Sequence, residues 1–213
     1  MADTPQRQGG KLQYLVRRVQ TPDWQTVPAV ELRHTGWLPP CPISARGQAC
    51  HDGHTLFLRM EAREAVPRAT LTGPLEQVCD DSCLEFFFAP APGDARYLNF
   101  ECNPLGTLYL GFGAQRATRV RQIVRDPGMF QIHPFPLEGG WGVTLAIPGD
   151  FIRVYLPEFD FSGEAAGNFY KCGDKTATPH YLAWSPLSCD TPDFHRRQDF
   201  GTLVFETADT CPR

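Results

Sequence analysis

An all-β fold, an antiparallel β-sandwich with one short helix, is what three features of this sequence predict. The first is strict side-chain alternation in Asp81-Ser82-Cys83-Leu84-Glu85-Phe86-Phe87-Phe88 and again in Tyr97-Leu98-Asn99-Phe100-Glu101-Cys102-Asn103. Period two is the signature of half-buried strands. The second is punctuation: 20 prolines and 19 glycines suit many short strands joined by defined turns. The third is length, since 213 residues with 42% hydrophobic content and 15 phenylalanines can bury one sizeable core.

The two alternating stretches define a hairpin. Leu84, Phe86 and Phe88 share one face of the first, and Cys83, Glu85 and Phe87 the other. In the second, Leu98, Phe100 and Cys102 are the apolar set, and Tyr97, Asn99, Glu101 and Asn103 the polar one. The turn-rich Ala89-Pro90-Ala91-Pro92-Gly93-Asp94 segment joins them. With the apolar faces aligned, Glu85 falls opposite Asn99 or Glu101. The cost of like charges favours Asn99, unless a ligand or metal offsets the repulsion. Leu108-Tyr109-Leu110-Gly111-Phe112 extends the hairpin into a meander.

The remaining elements follow in order. Residues 1–11 read as a disordered polar tail, and residues 12–213 as a single domain. Leu12-Gln13-Tyr14-Leu15-Val16 reads as a first edge strand. Residues 22–42 read as an irregular wrap in which Trp24 and Trp37 serve as lid residues. Asp52-Gly53 marks a tight turn into the strand around residues 56–62. Residues 116–125 carry Arg116, Arg119, Arg121 and Arg125 and read as a strand with a solvated basic face. Strands are expected at residues 130–133 and 141–147, around Gly139-Gly140, and a short helix near Pro148. The last third contains the stretches 167–175 and 179–186, and residues 200–206 close the fold as a final strand.

Composition excludes several classes. Net charge is −4 and the pI about 5.8, with no basic block, so nucleic acid is not an expected partner. No apolar run approaches the roughly 20 residues that span a bilayer, so no membrane is expected either. The N-terminus lacks an apolar signal core, which points to the cytoplasm, or to secretion if a leader has been trimmed. Eight cysteines without a Cys-x-x-Cys pair read as free, mostly buried thiols rather than a disulfide or zinc-ribbon framework. Haem ligation would need a partner for Met60 or Met129, and the sequence offers none.

The Asp-Ser-Cys-Leu-Glu-Phe-Phe stretch, the Tyr97–Asn103 motif with Gly106-Thr107, and Gly167-Asn168-Phe169-Tyr170-Lys171-Cys172 followed by His180-Tyr181-Leu182-Ala183-Trp184 resemble the family 9-type carbohydrate-binding modules, in their "family 9-like" bacterial branch. The resemblance runs over about residues 56–206. It implies an immunoglobulin- or DOMON-like β-sandwich, non-catalytic, tied to carbohydrate catabolism. Such modules bind mono- or oligosaccharide ends of plant-type glycans such as xylan or cellulose. A sugar is held between two tryptophans, and some members carry structural calcium. Glu85 matches the family's carboxylate and Trp184 its second aromatic clamp. The place of the first clamp holds Val78-Cys79-Asp80, with no aromatic.

Sugar chemistry adds candidates on the meander. A pyranose presents a C–H face that stacks on aromatic rings and hydroxyls that need paired donors and acceptors. Trp184, Tyr97, Tyr109 and Phe87 are the candidate platforms. Glu85, Asn99, Glu101, Asn103 and Lys171 are the candidate polar partners. No catalytic residue, metal ligand or cofactor is assigned. The acids Asp80, Asp81 and Glu85 are the set that would hold calcium if any does. Two alternatives stand beside the sugar module. One is a weakly catalytic or hydrolase-associated domain using Glu85 and Glu101. The other is a protein-interaction surface that has lost sugar binding.

Overall fold

The structure, a computed structural model, describes residues 7–8 and 10–208. The chain is mostly β with one short helix. Its strands are β1 (Arg7–Gln8), β2 (Lys11–Arg18), β3 (Val30–Glu31), β4 (His34–Thr35), β5 (Ser44–His51), β6 (Thr55–Arg63), β7 (Cys83–Ala89) and β8 (Tyr97–Cys102). There follow β9 (Leu108–Gly113), β10 (Val120–Arg121), β11 (His133–Leu137), β12 (Gly140–Pro148), the helix α1 (Gly149–Tyr155), β13 (Glu164–Cys172), β14 (Tyr181–Ala183) and β15 (Gly201–Phe205). Among the described residues, no helix is long and apolar enough to cross a membrane.

Hydrogen bonding links the strands in one continuous path, β10-β9-β8-β7-β13-β15-β2-β5-β6-β12-β11. The expectation of a purely antiparallel arrangement fails at β2. This strand runs parallel to β15 through residues 13–16 and parallel to β5 through Arg17 and Arg18. It is therefore an interior strand that joins the two halves of the sheet, not an edge. Tail residues 1–6 and 9 lie outside the described residues, whereas Arg7 and Gln8 pair back onto Leu12 and Lys11.

The sheet curls so that its two halves share one core. Leu58 and Met60 of β6 and Val143 and Leu145 of β12 belong to the same buried cluster as Phe86, Phe88, Leu98, Phe100 and Phe169. The halves meet closely enough that a Cβ on Gly47 would sit 2.4 Å from the ring of Phe169. Helix α1 closes one end, with Phe151 edge-on to Phe130 at 4.9 Å. It begins after Pro148, where the sequence places it.

The alternation of β7 is legible in three dimensions, but both faces are buried. Leu84, Phe86 and Phe88 enter the main core, while Cys83, Phe87 and Ala89 enter a second cluster with Tyr97, Tyr170, Phe194 and Phe200. Residues 187–200 lie over this outer face, with Phe194 stacked on Tyr170 at 4.1 Å. Cys83 and Cys102 fall on opposite faces, and the seven cysteines among the described residues are free thiols.

Two expected strands are corrected. Residues 116–121 form a 3-10 turn and the two-residue β10, because Arg119 and Arg121 lie over tyrosines of the sheet rather than in solvent. Residues 127–130 form another 3-10 turn, capped by Asp126 and closed by Gln131 at φ 45°, so β11 starts only at His133.

Lys171 was a candidate sugar contact, but it faces the other way. On β13 it alternates with Tyr170 and Cys172 and so points inward, opposite Leu84. There it is fully buried, 3.1 Å from Glu64 and 2.6 Å from Nε2 of His180. Its ammonium can only donate, so that nitrogen accepts and Nδ1–H of His180 donates to the Thr178 carbonyl. Glu64 also accepts from Ser82 Oγ at 2.7 Å and Trp141 Nε1 at 3.1 Å. Burial alone would raise the Glu64 pKa, but Lys171 and these donors outweigh it and hold the carboxyl below its ordinary value.

A lowered folded-state pKa means stability that is fully present above the ordinary glutamate value and lost as pH falls through the depressed one. Glu64→Gln leaves the ammonium buried without its counter-charge and is expected to cost about 3–5 kcal/mol at neutral pH. Urea unfolding of both proteins between pH 7 and pH 3 checks this. The gap between them should narrow as pH falls, because only the wild type loses the interaction. A gap independent of pH would show that packing, not charge, holds this cluster.

Candidate functional site

The β7–β8 register is the first correction at the site. Glu85 pairs with Glu101, Phe87 with Asn99, and Phe86 with Phe100. Either register keeps the apolar faces aligned, so hydrophobic matching does not choose between them. The like-charge cost is relieved locally. Burial, and then the Glu101 charge, drive the Glu85 pKa well above the ordinary carboxylate range. Burial brings Glu101 up to about 7, against the opposing pull of Asn99. Cys172 Sγ donates to Glu85 at 2.9 Å, and Asn99 Nδ2 to Glu101 at 2.5 Å.

Both carboxylates lie in the floor of a cavity of about 140 Å³ that opens on the outer face of the sheet. Trp37, Tyr181 and Phe194 form an aromatic wall, with Trp37 5.4 Å from Tyr181 and 5.9 Å from Phe194. The Trp37 indole N–H is fixed on the Cys189 carbonyl at 2.7 Å, which holds the ring in place. Cys79 and Cys172 line the inner side, and Arg116, Asp174, Asp193 and His195 the rim.

A second set of groups stiffens the floor from the β8–β9 side. Arg119 stacks on the Tyr97 ring at 4.5 Å and donates to Asn99 Oδ1 and to His195 Nδ1. The Tyr97 hydroxyl reaches the same nitrogen at 3.0 Å. An arginine N–H can only donate, so Nδ1 of His195 is an acceptor and the ring is neutral. Burial, then Arg119 and Arg116, push its pKa down to about 3, in agreement with that geometry. Arg119 fits because Gly111 and Gly113 stand beneath it. A Cβ on Gly111 would meet Asn99 Oδ1 at 2.4 Å and Arg119 Nε at 3.1 Å.

The structure thus sorts the sequence candidates. Glu85 and Glu101 line the cavity. Asn99, Tyr97 and Phe87 lie under it, with Asn99 spent between Glu101 and Arg119. Tyr109 is half-buried beneath Arg121, whose guanidinium sits 4.3 Å above its ring. Asn103 is consumed in its own turn: Oδ1 accepts from Leu105 and Thr107, and Nδ2 donates to Leu71 and Asp81. Trp184 is 2% exposed and packs in the main core against Tyr14 and Phe169, so it does not reach the cavity.

Asp80, Asp81 and Glu85 do not converge on one point. Asp80 pairs with Lys175 at 2.7 Å. Asp81 accepts from Thr70, Leu71 and Asn103 and pairs with Arg68, which ties the 68–72 loop to the start of β7.

Sequence reasoning missed Trp37, Tyr181, Phe194 and His195. Period two carried a usable signal for Tyr181, which lies on the opposite face from Leu182 and Trp184. Trp37 and Phe194 come from irregular segments, where no periodicity exists to read.

A β-rich fold whose outer face holds a small, aromatic-walled cavity with buried acceptors at its floor defines a binding module for a small polar ligand. The family model for carbohydrate-binding family 9 matches residues 16–205, and the chain belongs to this family. Among solved structures, it is similar to a candidate carbohydrate-binding protein from Bacteroides uniformis ATCC 8492. That match has 31% identity and a TM-score of 0.79, over 91% of this chain and 99% of the other.

It also resembles a family 9 carbohydrate-binding module from Caldicellulosiruptor kristjanssonii solved with cellotriose. There the identity is 11% and the TM-score 0.65, over 94% of this chain and 98% of that one. A structure of a family 9 module from the same organism with glucose gives 14% identity and a TM-score of 0.64, over 91% and 95%. At such identities the last two show a shared fold. No curated protein matches at a significant level.

Gly111→Ala tests whether the floor is built as described. The added methyl is expected to cost about 1–3 kcal/mol by overpacking and to displace Arg119 from Asn99. A thermal melt, with the exchange protection of the Asn99 and Arg119 side chains followed by NMR, checks both. An unchanged melt and unchanged protection would mean that Arg119 does not brace the floor.

Proposed function

We propose that this chain is a non-catalytic module that takes the terminal unit of a plant-type glycan, xylan- or cellulose-like, into the cavity on its outer face. The observation that carries this reading is the meeting of an aromatic wall with buried carboxylates in a space on the scale of one sugar ring. Trp37 and Tyr181 offer planes to the C–H face of a pyranose. Glu85 and Glu101 offer oxygens to its hydroxyls, and Arg116 supplies a donor at the rim. Family membership and the sugars named with the Caldicellulosiruptor kristjanssonii modules support the same reading. The small cavity favours a chain end over an internal stretch of polysaccharide.

Glu85 and Glu101 stand side by side on adjacent strands of the cavity floor, and both are held toward the protonated form. Glycoside hydrolysis by a carboxylate pair needs two groups that flank the bond, one of them ionised as nucleophile or base. The arrangement suits hydroxyl recognition better than bond cleavage.

Calorimetry with glucose, cellotriose and xylo-oligosaccharides, alongside product analysis, tests the proposal. Trp37→Ala or Tyr181→Ala is expected to weaken binding by about tenfold or more, roughly 1.4 kcal/mol, in a protein that still melts cooperatively. Trp184→Ala should instead destabilise the fold by about 3–5 kcal/mol, since its ring fills the core. Released sugar that disappears in Glu85→Gln would make the protein a hydrolase. Silence across the panel would leave the outer face as a protein-contact surface.

A further inference from the structure

Beneath the aromatic wall, beside Glu85, lies a pair of cysteines that sugar recognition does not require. Cys83 of β7 and Cys172 of β13 are direct cross-strand partners with both side chains buried on the outer face of the sheet. Cys172 Sγ also donates to Glu85. The two sulfurs and a Glu85 oxygen all lie within 4.8 Å of one another. In a tetrahedral zinc site, with Zn–S near 2.3 Å and Zn–O near 2.0 Å, neighbouring donors stand on the order of 3.5–3.8 Å apart. Small rotations about the two cysteine χ1 angles and the Glu85 side chain reach that spacing.

A second observation, independent of the sulfurs, is that no protein cation already occupies this place. Glu85 faces Glu101 across the strand pair on a buried surface, and among the described residues neither takes part in an ion pair. Lys171, the adjacent lysine on β13, is turned inward to Glu64. Arg119 stops at Asn99, one hydrogen bond short of Glu101.

We propose that Cys83, Cys172 and Glu85 form a binding site for one zinc-class divalent cation at the floor of the cavity. Two thiolates select a borderline-soft ion over calcium or magnesium. Three protein donors leave the fourth position facing the cavity, where water or a ligand oxygen completes the tetrahedron. Because Glu85 and Cys172 line the open space, the ion enters without unfolding the sheet. Loading exchanges the two thiol protons and the Glu85 carboxyl proton for the metal, so affinity rises with pH.

The site is tested on the full chain, reduced and with its thiols counted beforehand, using zinc and cobalt(II) as the only probes. The expected result is one equivalent bound. Cobalt should give a thiolate charge-transfer band and the intense visible bands of tetrahedral coordination. X-ray absorption on the zinc form should show two sulfur neighbours. Cys172→Ala is expected to weaken zinc binding by more than about 100-fold, beyond the 10–100-fold typical of outer-shell changes, while calcium does not compete.

Glu85→Gln, close to isosteric, should keep the cobalt-thiolate band while shifting the visible bands and weakening affinity. No cobalt band in the folded, reduced wild type would overturn the proposal without recourse to any variant. A zinc shell of oxygen and nitrogen alone, or equal affinity in Cys172→Ala, would overturn it as well. Sugar affinity measured separately on metal-free protein keeps this outcome apart from that of the sugar reading.

Discussion

The pairing of Glu85 with Glu101 across β7 and β8 is the constraint on which the outer face depends. Two carboxylates directly opposite each other are unfavourable in any sheet, and more so when covered. The chain covers them nevertheless, with residues 187–200 and the Trp37 segment closing over the strands. What makes this tenable is neutralisation together with directed donors: a thiol on Glu85, and an amide on Glu101 that is itself held by Arg119. The glycines at 111 and 113, the tyrosine under the guanidinium and the neutral His195 follow from the need to seat that arginine.

The inner face handles a comparable problem in the opposite way. Lys171 and Glu64 are buried as a charge pair with every nearby donor or acceptor engaged: Ser82, Trp141 and His180. A satisfied network of this kind fixes geometry and leaves nothing for a ligand. On the outer face the carboxylates keep oxygens turned toward open space. β13 carries both arrangements on alternate residues, Lys171 inward and Cys172 outward. One strand thereby separates the rigid part of the molecule from the part that can respond to a ligand.

Much of the fold was legible because alternation maps directly onto strand faces. The β7–β8–β9 meander, the Asp52-Gly53 hairpin, the helix after Pro148 and the final strand all sit where the pattern puts them. What was not legible were decisions that alternation leaves open. A two-residue slip of β8 preserves both faces, so the register could not be read, and the charge rule pointed to the wrong partner. The parallel neighbours of β2 are set by chain topology, not by its own residues. The arginines at 119 and 121 read as solvated because a sequence does not show the tyrosine faces they cover.

Trp184 shows how resemblance and periodicity can conflict, and how geometry resolves the conflict. The family motif assigns it to a clamp, yet it shares the inward face with Leu182, where Gly201 leaves room for its ring. The aromatic surface is supplied instead by Tyr181, by Phe194 in the covering segment and by Trp37 far upstream. The place of the family's first clamp is filled by Val78, which is buried in the outer cluster, and by Cys79, which lines the cavity. A ligand platform needs one ring face in contact with open space, whereas the fold needs its largest rings buried. Because the two demands compete for the same residues, the platform falls to rings at the edge of the covering loops. These can be rebuilt without disturbing the core that Trp184 fills.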